Sequence, residues 1–97
     1  MKKVILGTEY EIDFINQSDN QDMVANDWCG MCDFDEKKIY IARDKLDSQS
    51  TFNATYRHEL IHAYLHESGI ALGMQFHTEE MVDWLAWQFE KMEETLR

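Results

Sequence analysis

His58-Glu59-Leu60-Ile61-His62 lies inside the run TYRHELIHAYLHESG, residues 55–69, and has the form H-E-x-x-H. Residues four apart on an α-helix sit one turn apart on the same face, so both imidazoles can point at one ion. That is the arrangement a helical zinc site needs. Glu59 lies about 100° round the helix from His58. From there its carboxylate can reach a water bound to the same metal and take its proton.

The surrounding residues predict a helix from about Thr51 to Ser68. Ser48 and Ser50 are candidate N-caps, and Gly69 is the C-terminal stop. Ala54, Ile61 and Leu65 share a broad face with His58 and His62, which places the imidazoles at the margin of a core. Downstream, Ile70 to Phe76 holds two glycines and reads as an irregular connection. A second helix is expected from Thr78, with Glu79 and Glu80 favourable in its first turn. Val82, Leu85, Phe89, Met92 and Leu96 recur at spacings of three and four as an apolar stripe, and Trp84 and Trp87 are expected in the core. Glu90 to Arg97 is largely charged apart from Met92 and Leu96, so its end is expected to fray.

Upstream, Glu9 to Phe14 alternates strictly, with Tyr10, Ile12 and Phe14 on one face. With the short apolar run Val4 to Leu6, stopped by Gly7-Thr8, this predicts an N-terminal hairpin. Asn16 to Asp22 reads as a loop, and Met23 to Asp27 fits either a helical turn or a continued connection. Trp28 to Phe34 and Lys38 to Arg43 read as a second hairpin, linked through Asp33 to Lys37; Ile39 and Ile41 share one face, Tyr40 and Ala42 the other. Strands first and helices afterwards give an α+β domain over 1–97: a small antiparallel sheet, the H-E-x-x-H helix and a second packed helix.

Ninety-seven residues make one domain, and with 44% hydrophobic residues, three Trp, four Tyr and five Phe it can bury a small core. A formal net charge of -10 repels phosphate backbones and argues against nucleic-acid binding. The N-terminal apolar run is too short for a signal-peptide core, and no run reaches membrane-spanning length. A cytoplasmic location is therefore expected, with Cys29 and Cys32 reduced. Their C-x-x-C spacing has no second pair to complete a structural zinc site, so two plain thiols are expected rather than a redox switch.

A hydrolytic zinc site needs a third protein ligand. His66 lies roughly 12 Å along the helix axis from His58, too far for one ion, and is assigned to the surroundings or the surface. Glu79 is the preferred third ligand, with Glu80 and His77 as alternatives. Asp83, four residues beyond Glu79, shares its face and can accept the free N–H of a ligand histidine. The longer metzincin pattern is absent: Leu65 stands at its glycine position and Ser68 at its last histidine.

Tyr56-Arg57-His58-Glu59-Leu60-Ile61-His62-Ala63 followed by Glu79-Glu80-Met81-Val82-Asp83-Trp84-Leu85-Ala86 resembles the ImmA/IrrE-type zinc metallopeptidases of bacteria, phages and mobile elements. The hairpin ending in Lys38-Ile39-Tyr40-Ile41 is similar to the strand that leads into that family's zinc helix. The resemblance implies Zn2+ held by His58, His62 and Glu79, with Glu59 as general base, and a protein or peptide substrate, transcriptional repressors among them. The chain departs from the family in being short and lacking a helix-turn-helix domain. Lys38 to Arg43 is expected as an edge strand that holds an extended substrate. Tyr56, Tyr64 and His66 are unranked candidates for an oxyanion partner. The competing expectation is a phage-borne interaction module that keeps the zinc helix without cutting its partner; an intact Glu59 favours the enzyme.

Overall fold

The computed structural model describes residues 1–96. The N-terminal hairpin forms from β1 (Lys2–Ile5) and β2 (Thr8–Ile15), antiparallel with Ile5 opposite Thr8. Its two-residue turn places Leu6 at φ 48 and Gly7 at φ 86. Those angles match the right-handed twist of the flanking strands, and Gly7 adopts them at little steric cost.

Asn16 to Asp22 is more structured than a loop. Gln17–Asp19 makes a 3-10 turn, and α1 (Gln21–Asn26) starts inside the stretch, capped by the Asn20 side chain on the Met23 N–H. Of Met23 to Asp27, all but Asp27 is helical; Asp27 ends α1 in the left-handed region at φ 51. The second hairpin is β3 (Gly30–Asp33) and β4 (Lys38–Ala42), shorter at its start than expected because Trp28 and Cys29 precede the ladder. Asp33 Oδ1 closes its loop by accepting from the N–H groups of Asp35 and Glu36.

The α+β class is as expected, but the sheet is not purely antiparallel. Its order is β1-β2-β4-β3, and β2 runs parallel to β4 with Ile12 opposite Ile39 and Phe14 opposite Ile41. The chain leaves β2, crosses through α1, lays β3 outside and returns along β4 between the two. The isoleucine-bearing strand β4 is therefore interior, and the expected edge at Lys38 to Arg43 is instead β3. An interior strand is protected on both sides, which suits Ile39, Ile41 and Ala42, all fully buried. Ala42 is thereby buried although it was expected opposite the isoleucines.

One face of the sheet packs on α2 (Gln49–Glu67). Tyr10, Ile12, Ile39 and Ile41 meet Ala63 there, with Phe14, Cys32, Phe52 and Leu60 around them. Ser48 caps α2 through the Thr51 N–H, and Gly69 follows its end at φ 95. Within α2 the fully buried positions are Ala54, Glu59, His62 and Ala63, while Ile61 and Leu65 are half-buried.

The last element, α3 (Glu79–Leu96), begins one residue later than Thr78, whose hydroxyl accepts from the Met81 N–H. It rests on α2 through buried Val82 and Ala86 and an Arg57–Glu90 ion pair at 2.6 Å. Phe89, Met92 and Leu96 stay exposed, and so do Trp84 and Trp87, at 56% and 46%. The expected core role of the two tryptophans is thus overturned: small residues make the helix contact, and among the described residues no further element covers the other side. Arg97, at the end expected to fray, lies outside the described residues. No helix among those residues is long and apolar enough to cross a membrane.

Candidate metal centre

His58 and His62 leave α2 one turn apart and meet Glu79 from the first turn of α3. His58 Nε2 lies 3.0 Å from Glu79 Oε2, His62 Nε2 lies 2.9 Å from Glu79 Oε1, and the two Nε2 atoms are 3.1 Å apart. Among the described residues these three form the group whose ligand atoms, all within 4.8 Å of one another, can hold a metal ion. The donor set passes the chemical test as well. Two imidazole nitrogens and one carboxylate suit a borderline ion such as zinc better than calcium or magnesium, which favour all-oxygen shells. Burial holds the His62 imidazole below its ordinary pKa; Glu79 opposes this, while His58 and His77 reinforce it, so the ring is in the neutral, ligating form.

Glu79 is the residue that depends on tertiary structure, because only the return of α3 across α2 brings it to the histidines. Its side chain is largely exposed, yet each oxygen faces one imidazole. The alternatives fall away: Glu80 is outside the cluster, and His77 touches His62 instead of joining it. Asp83 takes the expected side of His58, but its Oδ1 is 3.6 Å from Nδ1, beyond a direct hydrogen bond.

Glu59 points from the next position on α2 toward the sheet and is 6% exposed. Its carboxyl pKa is raised to about 8, first by burial and then by the nearby Glu79 charge. The space for it exists because Gly30 sits beneath it on β3; a Cβ there would meet Glu59 Oε2 at 2.8 Å and the Thr55 methyl at 3.0 Å. Nothing in the local sequence marked Gly30 as part of the site; an isolated glycine in a strand signals a close approach without saying to what.

Four residues read as possible participants stand elsewhere. Tyr56 packs with Phe14 and Phe52, Tyr64 is exposed, and His66 stacks on Phe34 at 4.3 Å. None of these three lines the cleft above the cluster, so the expected oxyanion candidates are not placed for that task. His77 is fully buried, with Nε2 2.6 Å from His62 Nδ1 and Nδ1 2.7 Å from the Ile70 carbonyl oxygen. Cys29 and Cys32 are free thiols, and burial pushes both above the ordinary thiol range, the unreactive direction.

The cleft itself is about 770 Å³ and runs from β3 across the His58–His62–Glu79 cluster to Trp87 on α3. Fold and cluster together define a small α+β domain with a two-histidine, one-carboxylate group at the junction of its two long helices. The chain matches no family model, no curated protein and no solved structure.

Proposed function

We propose that this protein is a cytoplasmic zinc-dependent peptidase of the ImmA/IrrE kind, acting on an extended protein or peptide segment. The observation that carries the reading is the convergence of His58 Nε2, His62 Nε2 and both Glu79 oxygens on one point, with the Glu59 carboxyl opening into the same cleft. His58, His62 and Glu79 would hold zinc, which would supply a water of lowered pKa and Lewis acidity for the scissile carbonyl. Glu59, whose raised pKa of about 8 leaves it mostly protonated at neutral pH without an ion, would act in its ionised form, which a bound cation favours, taking the proton of the attacking water and handing it to the leaving amine nitrogen.

The substrate lies along β3, whose outer edge is unpaired, and gains main-chain hydrogen bonds by strand addition. Among the described residues the cleft walls carry the carboxyl groups of Asp27, Asp47, Glu59, Glu79 and Asp83 against Lys45, which favours a segment bearing basic side chains. A transcriptional repressor is the substrate that the family resemblance suggests.

The test is metal analysis of purified protein followed by cleavage of a synthetic peptide library, read by mass spectrometry. Wild type is expected to hold one zinc per chain and to cut. Glu59→Gln is expected to hold the same zinc and to lose about 100-fold or more in rate. Wild type without zinc, or a Glu59→Gln protein that cuts as fast, refutes the proposal. A second reading, a metal-holding interaction module, is favoured by the exposed Trp84 and Trp87. Under it, partner binding survives Glu59→Gln and no cleavage is seen in either protein.

A further inference from the structure

His77 lies outside the ligand cluster, yet it is 0% exposed and uses both ring nitrogens. A carbonyl oxygen only accepts, so the His77 Nδ1 facing Ile70 O at 2.7 Å carries a proton. In the neutral ring the lone pair is then on Nε2, and it accepts from His62 Nδ1–H at 2.6 Å. His62 is left with its own lone pair on Nε2, the atom that meets Glu79 and His58 in the cluster. From the Ile70 carbonyl to the ligand position the hydrogen bonds run in one direction, and a cation between His62 Nε2 and Glu79 Oε1, 2.9 Å apart, completes it, since both atoms are then acceptors.

We infer that His77 is a positioning residue: it fixes His62 in the Nδ1–H tautomer with Nε2 presented to the ion, and it ties the connection between the two long helices to the metal centre. Ligand histidines commonly donate their second N–H to a carboxylate, a carbonyl or a water. Here another imidazole fills that place and relays the constraint to the backbone. Both ends of the relay are themselves held. Ile70 N–H donates to Leu65 O at 2.8 Å, anchoring the accepting carbonyl to the end of α2. His77 N–H donates to Met74 O at 3.0 Å, and Gly73 N–H donates to His77 O at 2.9 Å, which pins the ring's own backbone. Because the relay joins connection and ligand, metal affinity and the order of residues 70–77 are reciprocally coupled.

The inference rests on the metal-centre reading, and the experiment separates the two. Long-range 1H–15N NMR of the zinc-loaded wild type is expected to show the His62 proton on Nδ1, because without the ion the Glu79 carboxylate 2.9 Å from Nε2 competes for a proton there. His77→Phe fills the ring volume without an acceptor; His77→Gln restores an acceptor oxygen. In competition with a chromophoric zinc chelator, His77→Phe is expected to bind zinc about 10- to 100-fold more weakly, and His77→Gln to recover most of that loss. Zinc is also expected to slow amide exchange across residues 70–77 in the wild type but not in His77→Phe. A wild-type His62 protonated on Nε2 overturns the inference without any variant, so a His77→Phe protein that fails to fold does not shield it. Unchanged zinc affinity in folded His77→Phe overturns it too while leaving the metal centre standing. Absence of zinc uptake by the wild type overturns both.

Discussion

Gly30 and Glu59 divide one small volume between a strand and a helix. A Cβ on residue 30 would lie 2.8 Å from Glu59 Oε2 and 3.0 Å from Glu59 Cγ. A flexible carboxylate tip alone would swing aside cheaply, but Cγ is tethered to α2 and the side chain is buried, so relief requires the whole group to move. The proposed ion ligands, His58, His62 and Glu79, are other residues, so metal uptake is expected to be unaffected. Gly30→Ala is therefore expected to keep its zinc while turnover falls about 10- to 100-fold, the scale on which ångström-size misplacement of a reacting group is felt. Metal content and peptide turnover on the same preparation check this; full turnover in Gly30→Ala means that the position of Glu59 is not critical. The same crowding explains why glycine alone suits residue 30 despite its cost in a strand.

At the scale of elements, the joint between α2 and the sheet is electrostatic at one end. Glu67, in the last turn of α2, is unfavourable there against the helix dipole. It is compensated by Lys37 Nζ at 2.9 Å, Tyr10 OH at 2.6 Å and Thr8 Oγ1 at 2.9 Å, which all donate to its carboxylate. These donors, the Lys37 bond foremost, pull its pKa from 4.5 to about 2. A carboxylate depressed in the folded state stabilises the fold above its unfolded pKa and loses that contribution as protons bind. Urea midpoints of wild type and Glu67→Gln are thus expected to differ by a constant amount above pH 4.5 and to converge as pH falls toward about 2. Parallel pH profiles for the two proteins would show that the network contributes nothing to this joint.

Across the whole molecule, α3 is a long element secured along one narrow face. Its fully buried residues are Val82 and Ala86, and its longest apolar side chains face outward. Its first turn meets α2 at the candidate ligand group His58, His62 and Glu79, so under the proposed reading ion binding and docking of α3 belong to one equilibrium. A ligand that binds only the folded form stabilises it by about 4 kcal/mol when free ligand is a thousand-fold above Kd. At roughly 4–8 °C per kcal/mol for a domain of this size, a chelator is expected to lower the thermal midpoint of the zinc-loaded protein by more than about 10 °C. Amides of α3 are expected to lose exchange protection first. An unchanged midpoint on chelation argues that no ion bridges the helices.

What the amino-acid order determined alone is local. Alternation marked Tyr10, Ile12 and Phe14 as one face; Ser48 or Ser50 and Gly69 bounded the first long helix, of which the structure uses Ser48; the four-residue spacing of His58 and His62 put two imidazoles on one side of it. Glu79 was legible because a carboxylate opening the next helix is a short step from that pair. Tertiary structure alone decided that β4 is interior and parallel to β2, that Gly30 sits under Glu59, that His77 supports His62 and that Trp84 and Trp87 stay outside. The reason is physical. Helical and strand periods state which way a side chain faces relative to its own backbone, whereas the partner it meets depends on how distant elements compete for a limited core, and no short window of sequence contains that competition.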